Sequence, residues 1–324
     1  MKTVRIGFIG AGKVGCSLGK YLSERISEVN GETETEPKRD GAGTAKDDFT
    51  CFSKPAFKLS GYFSRSASSA IDAAAFTGSH AFDAPASLLD ASDMIFMTVP
   101  DGAIGKVGYD LMRYPAAAGK IFCHCSGSLP SSVFTAAAEK EEDGAPLVLP
   151  LTCSLHPLLA VADHYQSWER FKDAYFTFEG SDAAFETLSP LLQLMGNNTG
   201  RIEADQKILY HAACVFFSNL TVGLAACGED LFRACGLDDE FSKAAWHTLF
   251  QGNCENIIAK GVTEALTGPA ERGDTVVIEK HLEALGAYQA SAAVSNRAAN
   301  ADTIYRELTK VLFRIAAEKH PERK

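Results

Sequence analysis

A glycine-rich stretch near the amino terminus, "TVRIGFIGAGKVG", restricts the possible folds more than any other part of the chain. Residues 3–9 are mostly β-branched or apolar, which is typical of a buried parallel strand, and residues 13–27 have a helical pattern. Gly10 permits a tight turn between them, Gly12 lets the backbone approach a pyrophosphate, and Gly15 lets the helix pack on the strand. The stretch therefore predicts a dinucleotide-binding turn. Its expected contacts are Gly10, Gly12, Lys13, Val14 and Gly15.

The rest of the first half alternates between strands and helices. Further strands are predicted at 57–63, 79–82, 93–99, 120–126, 147–155 and 174–178, with helices at 67–76, 85–91, 101–113 and 130–139. Such alternation is typical of βαβ units and of a parallel sheet covered on both faces. Helices alone are predicted afterwards, at 181–195, 204–235, 239–260, 275–286 and 288–318. We therefore predict an α/β fold, with a Rossmann-like, doubly wound, mostly parallel sheet in residues 1–200 and an all-helical domain in residues 201–324.

One segment, 27–56, interrupts the alternation of strands and helices. From Ser27 to Thr50 it is polar, charged and glycine-rich, with almost no apolar residue before Phe49. Such a segment cannot bury enough apolar surface to offset the entropy lost when it becomes ordered. We interpret it as a mobile surface insertion.

The end of the second strand indicates which dinucleotide the chain prefers. NAD-binding proteins usually place an acidic residue here to accept a hydrogen bond from the ribose 2′-hydroxyl. This chain has Ser64, Arg65 and Ser66 instead. A guanidinium can pair with a 2′-phosphate, so NADP is favoured over NAD; a solvated arginine beside a serine that caps a helix is the alternative. The loop after the fourth strand adds expected cofactor contacts at Val99 and Pro100, and the next residue, Asp101, is expected to cap a helix.

Several motifs together resemble known families. "FIGAGKVG", "FSRS" and "VPDGAI" resemble the nicotinamide-dependent superfamily of pyrroline-5-carboxylate reductases and 3-hydroxyacid dehydrogenases. "CSGSL", "HPL", "YHAACVFFSN" and "ALTGPAERGD" are similar to the family of oxidoreductases that join a Rossmann-like domain to a helical domain of unknown function. The resemblance covers nearly the whole chain outside 27–56. It implies an NADP-dependent oxidoreductase; some family members are linked to ketopantoate reduction, and the substrate stays open.

The helix expected at 204–235 carries a polar stripe of Lys207, His211, Cys214 and Ser218, with Asn219 just beside it. Hydride transfer to a carbonyl or imine needs a proton donor near the developing negative charge, a role that lysine or histidine suits. The catalytic candidates are therefore Lys207 and His211. In the alternative interpretation, His211 is a core histidine and Lys207 only extends its charge to the surface.

The resemblance adds detail to this helix. Lys207-x-x-x-His211 is similar to the Lys-x-x-x-Asn pair of the 3-hydroxyacid dehydrogenases, in which the lysine is the acid/base group, although histidine here replaces asparagine. "SGS" likewise resembles their substrate-anchoring Ser-Gly-Gly and places Ser126 at the substrate. His156, before Pro157, is a weaker candidate. The expected substrate contacts are Ser126, Ser218, Asn219 and Arg272.

Arg272 is included because of its setting in "ALTGPAERGD". The Gly-Pro pair ends a helix, and Asp274 is expected to cap the next one. An arginine left in such a loop can hold a substrate carboxylate by two hydrogen bonds. The alternative is a surface ion pair with Glu264 or Glu271, which would contribute little to stability.

Composition limits the partners and the compartment. The net charge of −10 argues against nucleic acid or an anionic membrane surface and leaves a small anionic substrate possible only at a local site. Nine cysteines without a recognisable signal peptide indicate reduced thiols and a cytoplasmic protein. Ile208 to Gly228 is long and apolar but polar at its centre, so we expect a buried helix and not a membrane span. Long helices such as 288–318 are expected to form a homodimer.

No metal site is expected. Cys123, His124 and Cys125 are consecutive in a strand, so the histidine faces away from both thiols. Two other functions stay open: a non-catalytic NADP-binding sensor or scaffold protein, and a deazaflavin-linked NADP reductase.

Overall fold

A computed structural model of the protein describes residues 3–32, 55–138, 147–291 and 294–323. It divides into two compact units, Met1–Cys214 and Val215–Lys324. The first unit therefore keeps residues 201–214, which lie beyond the boundary expected at residue 200. Each unit is described separately below.

The first unit is built on an eight-stranded sheet. Its strands are β1 (Thr3–Ile9), β2 (Ala56–Phe63), β3 (His80–Phe82), β4 (Met94–Met97), β5 (Ile121–His124), β6 (Leu151–Leu158), β7 (Tyr175–Gly180) and β8 (Thr199–Arg201). Their order in the sheet is β3-β2-β1-β4-β5-β6-β7-β8. All neighbouring strands are parallel except β6 and β7, which are antiparallel. The predicted doubly wound, mostly parallel sheet is thereby confirmed, with β8 as a strand that the sequence did not predict.

Helices connect and cover these strands. They are α1 (Lys13–Glu32), α2 (Ala67–Thr77), α3 (Pro85–Asp90), α4 (Asp101–Met112), α5 (Val133–Ala138), α6 (Asp182–Met195) and α7 (Lys207–Phe217). Helix α1 continues past Ser27, where the insertion was expected to begin. The sequence did not predict this extension because the last turns are polar and lack the apolar period that marks a helix. The remainder of that insertion, 33–54, lies outside the described residues.

The sheet is buried on both faces. Alternate residues of β4 show this: Met94 and Phe96 join one apolar cluster, whereas Ile95 and Met97 join another. A parallel strand that is apolar on every residue needs such double cover. The carboxyl ends of β1, β4, β5 and β6 consequently meet at one edge of the sheet, where side chains from different loops come together.

The second unit consists of helices. They are α8 (Asn219–Ala234), α9 (Asp239–Ala265), α10 (Pro269–Arg272), α11 (Thr275–Gln289) and α12 (Ala301–Lys319). The all-helical expectation for this part is confirmed. Inside it, Asp230 is buried and accepts hydrogen bonds from Ser295, Arg233 and Arg297, which ties the segment before α12 to α8.

Two predicted helices are divided. Helix 204–235 is interrupted at Ser218, whose backbone has φ −119° and ψ −88° and separates α7 from α8. The helix expected over 288–318 is instead the end of α11, a short 3₁₀ turn at Asn296–Ala298 and α12. Ser295 caps that turn by accepting a hydrogen bond from the backbone of Ala298 at 3.2 Å. The alanine-rich residues on both sides of this turn have a helical pattern, so the sequence predicted one continuous helix, but the serine cap ends the helical hydrogen bonding there.

The burial expected for helix 204–235 is not found within the chain. Leu209 on α7 is 76% exposed, and Phe217 at its end is 86% exposed. The segment Ala204–Ala234 is the described helical segment that is long and apolar enough to span a membrane, by length and composition alone. An apolar surface on all sides indicates that a helix must be covered, but not which molecule covers it.

Candidate functional site

A cavity of about 1010 Å³ opens at the carboxyl ends of β1, β2 and β4. Its lining includes the predicted contacts Gly10, Gly12, Ser64, Arg65, Val99 and Pro100. It also includes residues that the sequence did not single out, among them Phe63, Lys106, Arg113 and Tyr114. This cavity is an order of magnitude larger than a site for a single ion or water, and it fits a nucleotide-sized ligand.

The glycine turn is held against the neighbouring strands. Gly10 has φ +106°, and a Cβ at this position would lie 2.7 Å from the carbonyl carbon and oxygen of Thr98. Its nitrogen donates to the Phe63 carbonyl at 2.9 Å, and the Thr98 hydroxyl donates to its carbonyl at 2.8 Å. A Cβ on Gly15 would meet the Gly10 carbonyl oxygen at 2.5 Å, so Gly15 serves close packing, as the sequence predicts. Only glycine fits these two positions.

Gly12 differs from the other two glycines because no atom lies within 4 Å of the place where its Cβ would be. It borders the cavity just before α1, whose first turn carries no acidic residue. The first N–H groups of a helix have no partners inside the helix and carry a partial positive charge. The turn can therefore hold the phosphates of a dinucleotide. Lys13 and Val14 begin α1 and do not line the cavity.

Arg65 lies in the loop after β2, is exposed, and borders the cavity beside Ser64. The adjacent Ser66 accepts a hydrogen bond from the backbone of Ser69 at 3.3 Å and caps α2. This is the alternative that the sequence left open for the serine. Arg65 is thus the residue of this loop that is suited to an anionic group in the cavity.

Asp101 has a different role from the helix cap that the sequence indicated. Pro100 occupies the cap position of α4, and no side chain caps that helix. The Asp101 carboxylate instead accepts hydrogen bonds from the hydroxyls of Ser126 at 2.7 Å and Ser128 at 3.0 Å. It therefore joins the loop after β4 to the loop after β5. Its partners are distant in sequence, which is why local pattern reading missed them.

The predicted substrate contact Ser126 is used within the protein. Besides donating to Asp101, its hydroxyl accepts from the backbone nitrogens of Ser128 at 3.2 Å and Leu129 at 3.1 Å. The residue is 6% exposed. Because a hydroxyl has one proton, Ser126 has none left for a ligand while Asp101 holds it. In this geometry Ser126 shapes the loop 126–128, and its contact with a substrate stays a prediction.

Lys207 is also turned inward, with 1% of its surface exposed. Its ammonium donates to the Ser126 carbonyl at 2.8 Å and to the Ser154 hydroxyl, which itself donates to the same carbonyl at 3.2 Å. Burial lowers the pKa of Lys207, while the charges of Glu179 and nearby thiols act in the opposite direction. Lys207 thus connects α7 to β6 and the loop after β5.

His211, the second catalytic candidate, is half-buried on α7 and lies beside His156. The centres of these two imidazole rings are 6.3 Å apart. A Cβ on Gly127 would lie 2.7 Å from Cδ2 of His211 and 2.9 Å from Nε2 of His156. Both rings therefore face the loop 126–128, and the weaker candidate His156 is brought into the same group as Lys207.

Two residues of this group were not identified from sequence. The Tyr210 hydroxyl lies 2.7 Å from Nδ1 of His156 and accepts a hydrogen bond from Thr177 at 2.8 Å. Tyr210 stands three residues after Lys207, one helical turn away, so the motif "YHAACVFFSN" contained the signal. Thr177 on β7 had no sequence signal of its own.

His124 has structural partners on the opposite side of β5 from Cys123. Its Nδ1 accepts from the backbone of Ser126 at 3.2 Å, and its Nε2 lies 3.3 Å from the Pro130 carbonyl. Burial, with the Lys207 charge second, lowers the pKa of His124 to about 4. Among the residues described, no group of three or more histidine, cysteine, aspartate and glutamate side chains is arranged to hold a metal ion.

The other predicted contacts belong to the second unit. Ser218 donates to the Asn219 side chain at 3.1 Å at the start of α8. Arg272 is the exposed last residue of α10, and no ion pair joins it to Glu264 or Glu271. Asp274 caps α11 by accepting from the backbone of Val277 at 3.2 Å, as predicted.

Comparisons with known proteins agree with this architecture. Residues 174–312 match the family model of a domain of unknown function, DUF2520. A protein of Thermotoga maritima is 23% identical, with a TM-score of 0.64 over 98% of this chain and 100% of that one. A protein of Bacteroides fragilis assigned as an NADP oxidoreductase is 19% identical, with a TM-score of 0.61 over 96% and 98% of the two chains.

A third similar structure is the pyrroline carboxylate reductase of Plasmodium falciparum with NADP bound. It is 13% identical, with a TM-score of 0.51 over 97% of this chain and 99% of that one. No curated protein matches the chain significantly. The resemblance read from the motifs is therefore confirmed at the level of fold: a Rossmann-like domain continues into a helical part, and residues 174–312 are similar to the DUF2520 family.

Proposed function

We propose that the protein is an NADP-dependent oxidoreductase that transfers a hydride between nicotinamide and a small carbonyl, imine or alcohol bearing a carboxylate. A 2-oxo acid such as ketopantoate is one example. The observation that carries this proposal is the cavity lined by the glycine turn and Arg65, at the same sheet edge as the loop that Lys207, His156 and His211 surround. Ligands of open α/β sheets bind at this edge.

The residues of the cavity fit the cofactor. Gly10, Gly12 and the start of α1 would hold the pyrophosphate, with Val99 and Pro100 beside it. Arg65, with Ser64, would hold the 2′-phosphate, which favours NADP over NAD. When bound, the nicotinamide gives or accepts the hydride. The NADP oxidoreductase and pyrroline carboxylate reductase of similar fold support this assignment.

Lys207 and His211 have different proposed roles in the proton transfer. The burial of Lys207 and its two bonds to the protein favour a positioning role, in which its charge keeps the carbonyl of Ser126 in place. His211 is only half-buried and is therefore our proposed proton carrier. An imidazole is suited to this step because its ring nitrogens can both donate and accept a proton.

For the second unit the proposal rests on chemistry. Arg272 is exposed and would bind the substrate carboxylate by two parallel hydrogen bonds, with Ser218 and Asn219 as further contacts. Pyrroline carboxylate, named in one structure of similar fold, combines such a carboxylate with an imine. We further propose a soluble, cytoplasmic protein that forms a homodimer through its helical part.

The proposal is tested by titrating the protein with NADPH and by following NADPH oxidation with 2-oxo acids and cyclic imine carboxylates. His211→Ala should abolish most of the turnover, Lys207→Ala should reduce it, and neither should change NADPH affinity. His247→Ala, in exposed α9, is the matched control. Saturable NADPH binding with no turnover on any probe would favour the sensor or scaffold alternative, and no binding at all would exclude both.

A further inference from the structure

Tyr210 is a half-buried polar residue to which the proposed reaction gives no role. It lies on α7, one turn after Lys207, and reaches β6 and β7 through His156 and Thr177. Burial raises the pKa of the Tyr210 phenol well above its ordinary value, so the phenol keeps its proton at neutral pH. A phenol that is protonated and held between two strands can direct that proton to one acceptor.

The hydrogen-bond partners determine which acceptor receives it. Thr177 donates its hydroxyl proton to the Tyr210 oxygen at 2.8 Å. The phenol proton then has Nδ1 of His156 available at 2.7 Å. The thiol of Cys214 also lies beside the phenol, but sulfur is a weak acceptor compared with an imidazole nitrogen. Nδ1 is therefore the acceptor, and a neutral ring must carry its proton on Nε2.

The same ring is held neutral by its surroundings. Burial first, then the charges of Lys207 and His211, lower the pKa of His156 to about 4, against a smaller opposite effect of Asp101. Its Nε2 lies against Gly127, where a Cβ would approach it to 2.9 Å, next to the His211 ring. The N–H of His156 consequently points to the loop that the proposed reaction uses.

We propose that Tyr210 is a positioning residue that fixes His156 in the Nε2–H tautomer, so that His156 offers a neutral hydrogen-bond donor to the oxygen or nitrogen of the group being reduced. This inference rests on the proposed function and adds a residue to it. A neutral donor polarises a carbonyl or imine and stabilises the charge that develops there, without giving up its own proton. The transferred proton would still come from His211, so the two histidines have separate tasks.

The tautomer can be measured without any turnover. We would record long-range ¹H–¹⁵N spectra of the full-length protein labelled with [¹⁵N]histidine at pH 7.5, with and without NADP⁺, and assign His156 by its absence in His156→Gln. The expected result is a neutral Nε2–H ring in the wild type and a mixture of both tautomers in Tyr210→Phe. A charged ring, or an Nδ1–H ring, in the wild type would overturn the inference.

Kinetics supply the second measurement. On the 2-oxo acid or cyclic imine carboxylate that the wild type reduces, Tyr210→Phe should lower kcat about tenfold or more, with the KM for NADPH unchanged. Tyr175→Phe, on the same strand as Thr177 but exposed, should leave kcat unchanged. An unchanged kcat in Tyr210→Phe contradicts the positioning role. If the wild type reduces no probe, the proposed function fails, and the spectrum alone decides whether Tyr210 sets the tautomer.

Discussion

At the scale of single residues, the choice of cofactor depends on the side chain that follows β2. Arg65 borders the cavity, and the serine beside it is occupied as the cap of α2. Replacing Arg65 with alanine should weaken NADPH binding about ten- to a hundredfold, or roughly 1–3 kcal/mol, because the 2′-phosphate loses its charged partner. NADH binding should change little. Fluorescence titration with both cofactors measures this.

A matched control keeps that experiment specific. Arg170 is exposed, lies in a 3₁₀ turn and does not line the cavity. Arg170→Ala should leave both affinities as they are. Equal losses for NADPH and NADH in Arg65→Ala would mean that the guanidinium contacts a part common to both, such as the adenine, and would contradict the proposed basis of NADP preference.

Single residues also show what a sequence can and cannot reveal about a site. The packing roles of Gly10 and Gly15 were predictable because each depends on neighbours close in the chain and on a conformation that few residues can adopt. The role of Arg65 at the 2′-phosphate stays a prediction. Asp101 was misread because its partners lie on another loop, at Ser126 and Ser128. A carboxylate at the start of a helix predicts a cap, and only the tertiary structure reveals a competing acceptor role.

At the scale of elements, that carboxylate joins two loops that follow neighbouring strands. Replacing Asp101 with alanine removes the acceptor from two hydroxyls at once, one of them on the buried Ser126. The free energy of unfolding should fall by about 1–3 kcal/mol, the usual effect of leaving a buried polar group without a partner. Urea unfolding followed by fluorescence would measure the loss.

Ser128→Ala tests the same link from its exposed side. Because this hydroxyl reaches solvent, Ser128→Ala should lower the free energy of unfolding clearly less than Asp101→Ala does. If the two variants lose the same amount of stability, the bond between Asp101 and Ser126 contributes nothing, and the proposed reason for the effect of Asp101 is wrong.

Elements were predictable where local signals agree with the tertiary structure. Strand β1 and helices α2 and α4 begin and end close to the predicted residues, since apolar period and turn residues coincide there. The helix over 204–235 was joined across Ser218 because no glycine or proline marks that break. Its burial was likewise beyond sequence reasoning, since an apolar helix surface has the same pattern whatever covers it.

At the scale of the whole molecule, acid should destabilise the fold through two histidines, the buried His124 and the half-buried His156. Burial, with the Lys207 charge second, lowers the pKa of both His124 and His156 from 6.5 to about 4. Below pH 6.5 the unfolded chain binds protons at these rings, whereas the folded chain does not until about pH 4. The free energy of unfolding should therefore fall as pH drops through that window, by up to about 3 kcal/mol for each ring.

Thermal unfolding between pH 7.5 and 4.5 would show this slope. His156→Gln should flatten it, since one of the two rings is gone, whereas the exposed His247→Ala should not. A slope that is the same in wild type and His156→Gln would show that folding does not lower the pKa of His156, and would contradict this prediction.

The exposed apolar side chains of the helical part make a prediction about assembly. Phe217 is 86% and Val222 70% exposed, and Ile258 on α9 is 85% exposed. Soluble monomers rarely leave many large apolar residues uncovered in one region, because their contact with water is unfavourable. The segment Ala204–Ala234 also has the length of a membrane span, so its apolar surface could be covered either by a second copy of the chain or by a lipid bilayer. Ser218 and Asn219, the polar residues at its centre, favour a second copy.

Light scattering of the detergent-free protein should therefore give twice the mass of the chain. Phe217→Asp or Val222→Asp places a charge on the exposed apolar surface, and either should shift the protein towards the monomer, because a buried unpaired carboxylate would cost several kcal/mol in an interface. Ile71→Asp, on α2 of the first unit and 58% exposed, is the matched control and should remain dimeric. A monomeric wild type would contradict the dimer, because the apolar surface around Phe217 and Val222 would then be uncovered. A wild type that sediments with neutral lipid vesicles would contradict it too, because lipid and not a second copy of the chain would then cover that surface.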